Sequence, residues 1–391
     1  MDMKPIFSDS EYKSRISNLQ EKTKDLDLTL ILGRADLFYY SGFGLDGFIA
    51  IDGNITRYVQ RNYDLGKELS SIHTKPMDSF RVFKELASET NPKTLGLELD
   101  RVPYKTVEYI SRAFEKPKIV DISTTLRQIR SVKSNAEQEI MRQAADQTDR
   151  SFVYMTQIIK PGMSELELSA DLDCFLRKEG HPGWMQIRKF DHNQPAIAYV
   201  MAGESTRSLN SSFGPVSGAG VGLYHMTGPS RRKFRDGDAV IVDTTGNVEG
   251  YTSDETRTYF MGNVDQKFRD AYDLAKQVHE RIGNIMIAGN KPHEVYENIL
   301  EFVTEFDRAN HFMGLNHDRV KFVGHGVGLE LDEFPILTSG YKDTLQEGQF
   351  VAVEPKFVFE NPVGGVGIED VWLVKSGKSE KITKTPWDLT E

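Results

Sequence analysis

From Leu28 onward, short apolar runs alternate with turns and amphipathic stretches. LTLIL, then DGFIAIDGNITRYV with a turn at Asp52-Gly53, then TLGLELD and KIVDI read as strands. Asp78 to Ser88 and Pro103 to Phe114 read as helices between them. Strands interleaved with helices predict a mixed α/β arrangement that ends near Asp121, a small first domain.

The charged run SVKSNAEQEIMRQAADQTDRSFVYMTQII opens on Ser134 or Asn135, both suited to an N-cap. It carries Ile140, Ala144, Ala145 and Phe152 near helical spacing. A long helix therefore opens a second domain, with the boundary near residues 125 to 135; we set the domains at 1–128 and 129–391. Pro161-Gly162 stops that helix, and SELELSADLDCFLRKEG reads as another, capped by Ser164 and closed by Gly180. Further helices are expected over Gln266 to Ala288 and His293 to Ala309, with AIAYVMAG, AVIVD, TRTYFMG, KFVG, FVAVEP and DVWLV as the strands among them. The fold class is α/β, more closely α+β, with no internal repeat, low-complexity tract or coiled coil.

Composition agrees with two domains, because 391 residues exceed the size at which one core stops growing. A net charge of -10 argues against a nucleic-acid or anionic-membrane surface, either of which needs concentrated Lys and Arg. The single cysteine, Cys174, cannot form an intrachain disulfide, and MDMKPIFSDSEYKSRI lacks the pattern of a secretory signal. No apolar stretch approaches the roughly 20 residues of a membrane-spanning helix. A soluble, cytoplasmic protein is expected.

Candidate chemistry lies in two segments. IVDTTGNVEGYTSDETRTYFMG carries Asp243 and Asp254, and VAVEPKFVFENPVGGVGIED carries Glu354 and Glu369, four carboxylates at the ends of apolar, strand-like runs. His325 sits between them in FVGHGVGLELDEFP, and its flanking glycines let backbones approach closely. A carboxylate leaving water for such surroundings loses on the order of several kcal/mol, so a converging group of them requires cations. Four negative charges and a neutral imidazole balance two divalent ions. Mixed carboxylate and imidazole donors suit manganese, iron, cobalt or zinc better than calcium or magnesium.

DLFYYSGF, LRQIRSVKSNAEQEIMRQA and GHGVGLELDEFP, together with those five residues, make the chain resemble the pita-bread metallopeptidases. That family holds Xaa-Pro dipeptidase, aminopeptidase P, methionine aminopeptidase and the metal-free creatinase, and the two-domain Xaa-Pro peptidases are the nearest in pattern. The resemblance implies a creatinase-like N-terminal domain followed by a catalytic pita-bread domain. It further implies that Asp254 and Glu369 bridge two metal ions per subunit, manganese first, with Asp243 completing one site and His325 and Glu354 the other. Glu354 would manage the proton of the attacking hydroxide, Thr245 would support the first aspartate, and His225 in GLYHMTGPS would face the scissile carbonyl or its oxyanion.

The implied activity is hydrolysis of the bond between an N-terminal residue and proline in a small peptide, by a homodimer. Two departures stand beside the metals. Where the family usually carries a second histidine this chain has Asp332, and where it commonly carries an arginine two residues before the last ligand this chain has Gly367. Period-two alternation puts Lys356 on the side of Glu354 if Pro355 does not break the strand. Asp332 and Lys356 then replace the missing pair, contacting the substrate's ends or each other, or else are a turn residue and a solvated charge. The departures also keep open a C-N hydrolase or lyase of the same fold acting on a small metabolite, and a homologue that binds without catalysis.

Other signals carry less. SGAGVG, from Ser217 to Gly222, lacks the βαβ context of a dinucleotide loop and reads as an active-site turn. His181, His192, His279, His293, His311 and His317 have no HExxH spacing and read as surface or core, with His192 the one that could sit near a cleft. Cys174, four residues after Ala170, reads as a core position.

Overall fold

Ser8 accepts the Glu11 N–H and starts helix α1 (Asp9–Lys22), whose Tyr12, Ile16 and Leu19 face inward at helical spacing. The computed structural model describes residues 5–44, 46–59, 72–189, 197–207, 214–315 and 319–389, and it divides into two units, Met1–Arg130 and Ser131–Glu391. After α1 the first unit runs β1 (Leu28–Ile31), α2 (Arg34–Ser41), β2 (Gly47–Ile51), β3 (Ile55–Val59), β4 (His73–Pro76), α3 (Val82–Thr90), β5 (Thr94–Leu97), α4 (Tyr104–Ala113), β6 (Lys118–Asp121) and α5 (Ser123–Ser131). Its sheet has the order β4-β3-β2-β1-β5-β6, with β1, β2 and β3 antiparallel to their neighbours among themselves and the other three joining in parallel. Leu28, Leu30, Phe48, Phe83, Leu95, Leu97 and Ile110 form its core. Helix α3 starts four residues later than the sequence suggests, at Val82 instead of Asp78.

The second unit opens with α6 (Asn135–Ile158), fixed by a capping box in which Ser134 and Glu137 each bond the other's backbone. Helix α7 (Glu165–Lys178) has the same device from Ser164 and Glu167. Its buried face is Glu165, Leu168, Ser169, Leu172 and Leu176, which leaves Cys174 exposed, contrary to the core position expected for it. Four residues from Ala170 was the wrong reference, because Ala170 is itself on the exposed side.

Then follow β7 (Ala198–Ala202), β8 (Ala239–Val248), β9 (Tyr251–Phe260), α8 (Gln266–Ile285), α9 (Pro292–Thr304), β10 (Gly324–Gly326), β11 (Glu333–Ile336), β12 (Phe350–Val353), β13 (Lys356–Glu360), β14 (Val363–Gly367), β15 (Asp370–Leu373) and β16 (Glu380–Lys381). They form a β7-β8-β9 sheet, a β13-β14 hairpin and a β11-β10-β12-β15-β16 sheet. Paired backbone bonds between Thr256 and Glu369 tie the first sheet to the segment entering β15. Helices α8 and α9 cover the core around Val278, Ile282, Val295, Ile299, Val351, Val353 and Phe357. Among the described residues no helix is long and apolar enough to cross a membrane.

His181 is buried after α7, accepts the Gly183 N–H on Nδ1, and is held down to about 4 by burial and the nearby Arg177 charge. The unfolded chain therefore binds its proton first, from about pH 6.5 downward, and His181 withdraws support progressively until pH falls through 4. At pH 4 the loss is roughly 3 kcal/mol. We expect the melting temperature of wild type to fall more steeply than that of His181→Asn between pH 6.5 and 4. Parallel curves in a thermal titration would count against this.

Candidate metal centre

Strands β8 and β9 form one continuous hairpin, so Asp243 lies in mid-strand and not at a strand end as the sequence suggested. The register places Asp243 opposite Thr256 and Thr245 opposite Asp254. Alternate residues share a face, so all four present their side chains together. The other three candidates arrive from the second sheet. His325 is the middle residue of β10 and pairs with Ala352 of β12, Glu354 follows β12 directly, and Glu369 precedes β15.

The glycines around His325 are required by this crowding. A Cβ at Gly324 would stand 2.5 Å from the Ala352 carbonyl oxygen, and one at Gly326 would stand 2.1 Å from that of Phe334. His325 Nε2 lies 3.6 Å from Glu354 Oε1 and 3.9 Å from Asp254 Oδ2, while Nδ1 is 3.1 Å from the Gly326 carbonyl. A donor at Nδ1 leaves Nε2 with its lone pair toward the carboxylates, the tautomer a metal ligand needs.

All five side chains line a cavity of about 130 Å³, with Thr245, Asp332, Lys189, Tyr199, Phe322 and Leu331 among the other walls. Ligand atoms of Asp254, His325 and Glu369 lie within 4.8 Å of one another. Asp254 Oδ1 is buried with no hydrogen-bond partner, which suits a cation. These residues fit a divalent ion.

Lys356 enters the same group from below. Pro355 separates β12 from β13, yet the lysine still turns to the Glu354 side: its Nζ donates to Glu354 Oε2 at 2.7 Å, Glu369 Oε2 at 2.8 Å and Asp243 Oδ2 at 3.3 Å. It is 2% exposed and is not a cavity wall. The expected substrate contact of Lys356, and its expected contact with Asp332, are thus corrected: its three donors are spent on carboxylates. Asp332 does reach the cavity, where Oδ1 accepts the Arg188 N–H at 3.1 Å.

His225 is not brought to the cavity. Gly218 and Gly220 take left-handed φ values of 77° and 68° and reverse the chain, and backbone bonds from Gly228 to Ser217 and from Gly220 to Gly228 close a turn whose tip is exposed. His225 lies on that tip, edge-on to Tyr224. Thr245 donates to Met185 Sδ. The hydroxyl that supports the carboxylates is instead that of Thr256, which donates to Glu369 Oε2 at 2.8 Å. The hairpin register could have revealed it, since Thr256 is the cross-strand partner of Asp243. His192 and His317 lie outside the described residues.

The description of metallopeptidase family M24 matches residues 139–376, more than half of the chain. The chain belongs to this family. The Creatinase/Prolidase N-terminal domain matches residues 15–132. The M24 chain is 26% identical over 369 residues to the Xaa-Pro dipeptidase of Pyrococcus furiosus, covering 93% of this chain and 95% of that one. It is 26% identical over 385 residues to the Xaa-Pro dipeptidase of Pyrococcus horikoshii, covering 97% and 99%. The structure of an Xaa-Pro dipeptidase from Bacillus anthracis superposes with a TM-score of 0.81 at 26% identity over 97% of this chain and 99% of that one. This M24 protein is therefore a hydrolase, with the creatinase-like and pita-bread domains that the sequence resemblance implied.

Burial dominates the electrostatics of the M24 site. It raises Asp254 well above the ordinary carboxylate range, with Glu369 and Asp243 adding to the effect, and it raises Asp243 and Glu369 against the pull of Lys356. Lys356 itself stays charged: burial works against it, and Glu354, Glu369 and Asp243 together outweigh burial.

Behind the site, fully buried Arg257 donates to the Glu369 carbonyl at 2.7 Å, the Thr256 carbonyl at 2.9 Å and Asp370 Oδ1 at 2.6 Å, and pairs with Glu255 at 2.7 Å. It fixes the backbone of one candidate ligand.

Proposed function

We propose that this protein is a metal-dependent Xaa-Pro peptidase, a dipeptidase or aminopeptidase that splits the bond between an N-terminal residue and proline. The observation that carries this is the convergence of Asp243, Asp254, His325, Glu354 and Glu369 on one cavity, with a buried unpartnered oxygen on Asp254. The relatives named Xaa-Pro dipeptidase, matched over nearly their whole length, supply the substrate class.

Bound on these donors, a divalent ion, manganese in our reading with cobalt, iron or zinc also suited, supplies Lewis acidity to the scissile carbonyl and to water. Glu354 has one oxygen held by Lys356 and the other toward His325, so it is a fixed base at the reacting side. It accepts the proton of the attacking water and returns it to the proline nitrogen as the C–N bond breaks. Asp332 at the cavity wall suits the substrate's α-ammonium, and the Lys189 wall suits its carboxylate. The homodimer belongs to the same reading and is checked by light scattering.

Hydrolysis of Ala-Pro, Ala-Pro-Ala and a control without proline, with added manganese, tests the proposal. Cleavage of only the dipeptide assigns a dipeptidase, and cleavage of the longer peptide an aminopeptidase. No cleavage of any of them overturns the peptidase reading in favour of a small-metabolite C-N hydrolase or lyase, the reading that Asp332 and Gly367 favour.

A further inference from the structure

Four carboxylates in one site, three of them buried and Asp243 partly exposed, ask for two divalent ions only if nothing else there is positive. Lys356 is positive, and its three donors meet oxygens of Asp243, Glu354 and Glu369. We propose that the Lys356 ammonium takes the place of one of the two ions, so that the centre holds a single divalent ion on Asp254, His325 and Glu369. The inference rests on the metal-dependent reading above and concerns the number of ions.

Geometry carries it. An ion seated on those three oxygens would hold each at about 2.0–2.2 Å from its own centre. The ammonium already stands 2.7 and 2.8 Å from two of them. An ion sharing them would stand within a few Å of Nζ, where like charges in a buried site repel strongly. On the other side of the group nothing is taken: Asp254 Oδ1 has no hydrogen-bond partner, and Lys356 does not bond Asp254. Glu369 gives Oε2 to Lys356 and Thr256, which leaves its other oxygen for the ion.

The strand pairing explains how the lysine reaches this position. Gly367 lies directly across from Lys356 in the β13-β14 hairpin, and a Cβ there would come within 2.4 Å of Lys356 Cγ. That contact is with the near end of the lysine stem, not its flexible tip. The bare glycine is what lets the stem lie across β14 and carry the ammonium under the carboxylates.

The test uses the full chain, stripped with chelator and reloaded with manganese, with ions counted by plasma mass spectrometry and calorimetric titration and coupling read by electron paramagnetic resonance. The expected result is one ion per chain and the hyperfine pattern of an isolated ion at saturation. Two ions, or an exchange-coupled spectrum, overturn the inference and leave the metallopeptidase reading standing; no bound ion overturns both.

Lys356→Met, purified with manganese present, keeps the stem and removes the charge, and is expected to take up a second ion with a coupled spectrum. A Met variant that stays at one ion overturns the proposal. Lys356→Arg keeps the charge and is expected to remain at one ion, so a count of two in it is equally damaging.

Discussion

His325→Ala is expected to remove nearly all peptide hydrolysis, lowering kcat/KM by roughly a thousandfold, or about 4 kcal/mol of transition-state stabilisation. Among the candidate ligands it is the only neutral donor, and its ring is aimed by the Gly326 carbonyl so that Nε2 faces Asp254 and Glu354. Alanine leaves those carboxylates facing each other with one ligand fewer for the ion. The fold should survive, because His325 contributes to the sheet through its backbone pairing with Ala352 and Ile336. Circular dichroism, metal content and kcat/KM on an Xaa-Pro substrate, measured on one preparation, separate the effects. A folded variant with full metal content and kcat/KM within tenfold of wild type would remove His325 from the site.

Arg257→Met should unfold the second unit far more readily than a surface change, by about 3–5 kcal/mol. Glu255 and Asp370, both fully buried, would lose their shared cation, and burial already pushes Glu255 well above the ordinary carboxylate range. The Glu369 and Thr256 carbonyls would lose a donor at the same time. Urea denaturation reads the stability and a manganese titration reads the consequence at the centre, where binding should weaken because Glu369 is less firmly placed. A denaturation midpoint close to wild type would show that the network is dispensable.

Much of the architecture was legible because its determinants are local. Ser134 and Ser164 announced helices α6 and α7 through side chains that bond the next turn, and both capping boxes are present. The candidate donors are legible because charge in apolar strands requires compensation wherever the strands lie. What escaped depended on pairings distant in sequence. Asp243 reads as a strand end only until Tyr251–Phe260 is known to run alongside it for its full length. Thr256 acquires its role from Glu369, 113 residues away. Resemblance alone points His225 at the substrate, whereas the left-handed glycines at 218 and 220 carry it to an exposed turn. Period-two alternation puts Lys356 on the right side of its strand, but only its bonds to Asp243, Glu354 and Glu369 show that its tip ends among the carboxylates.

The facing of Lys356 and Gly367 also constrains how this chain can change over generations. Any side chain at 367 collides with the lysine stem while Lys356 is present, and removal of Lys356 alone strips a buried cation from three carboxylates. Each single step is penalised by the state of the other position, so the two sites are locked to each other: a side chain can enter 367 only with a simultaneous exchange at 356.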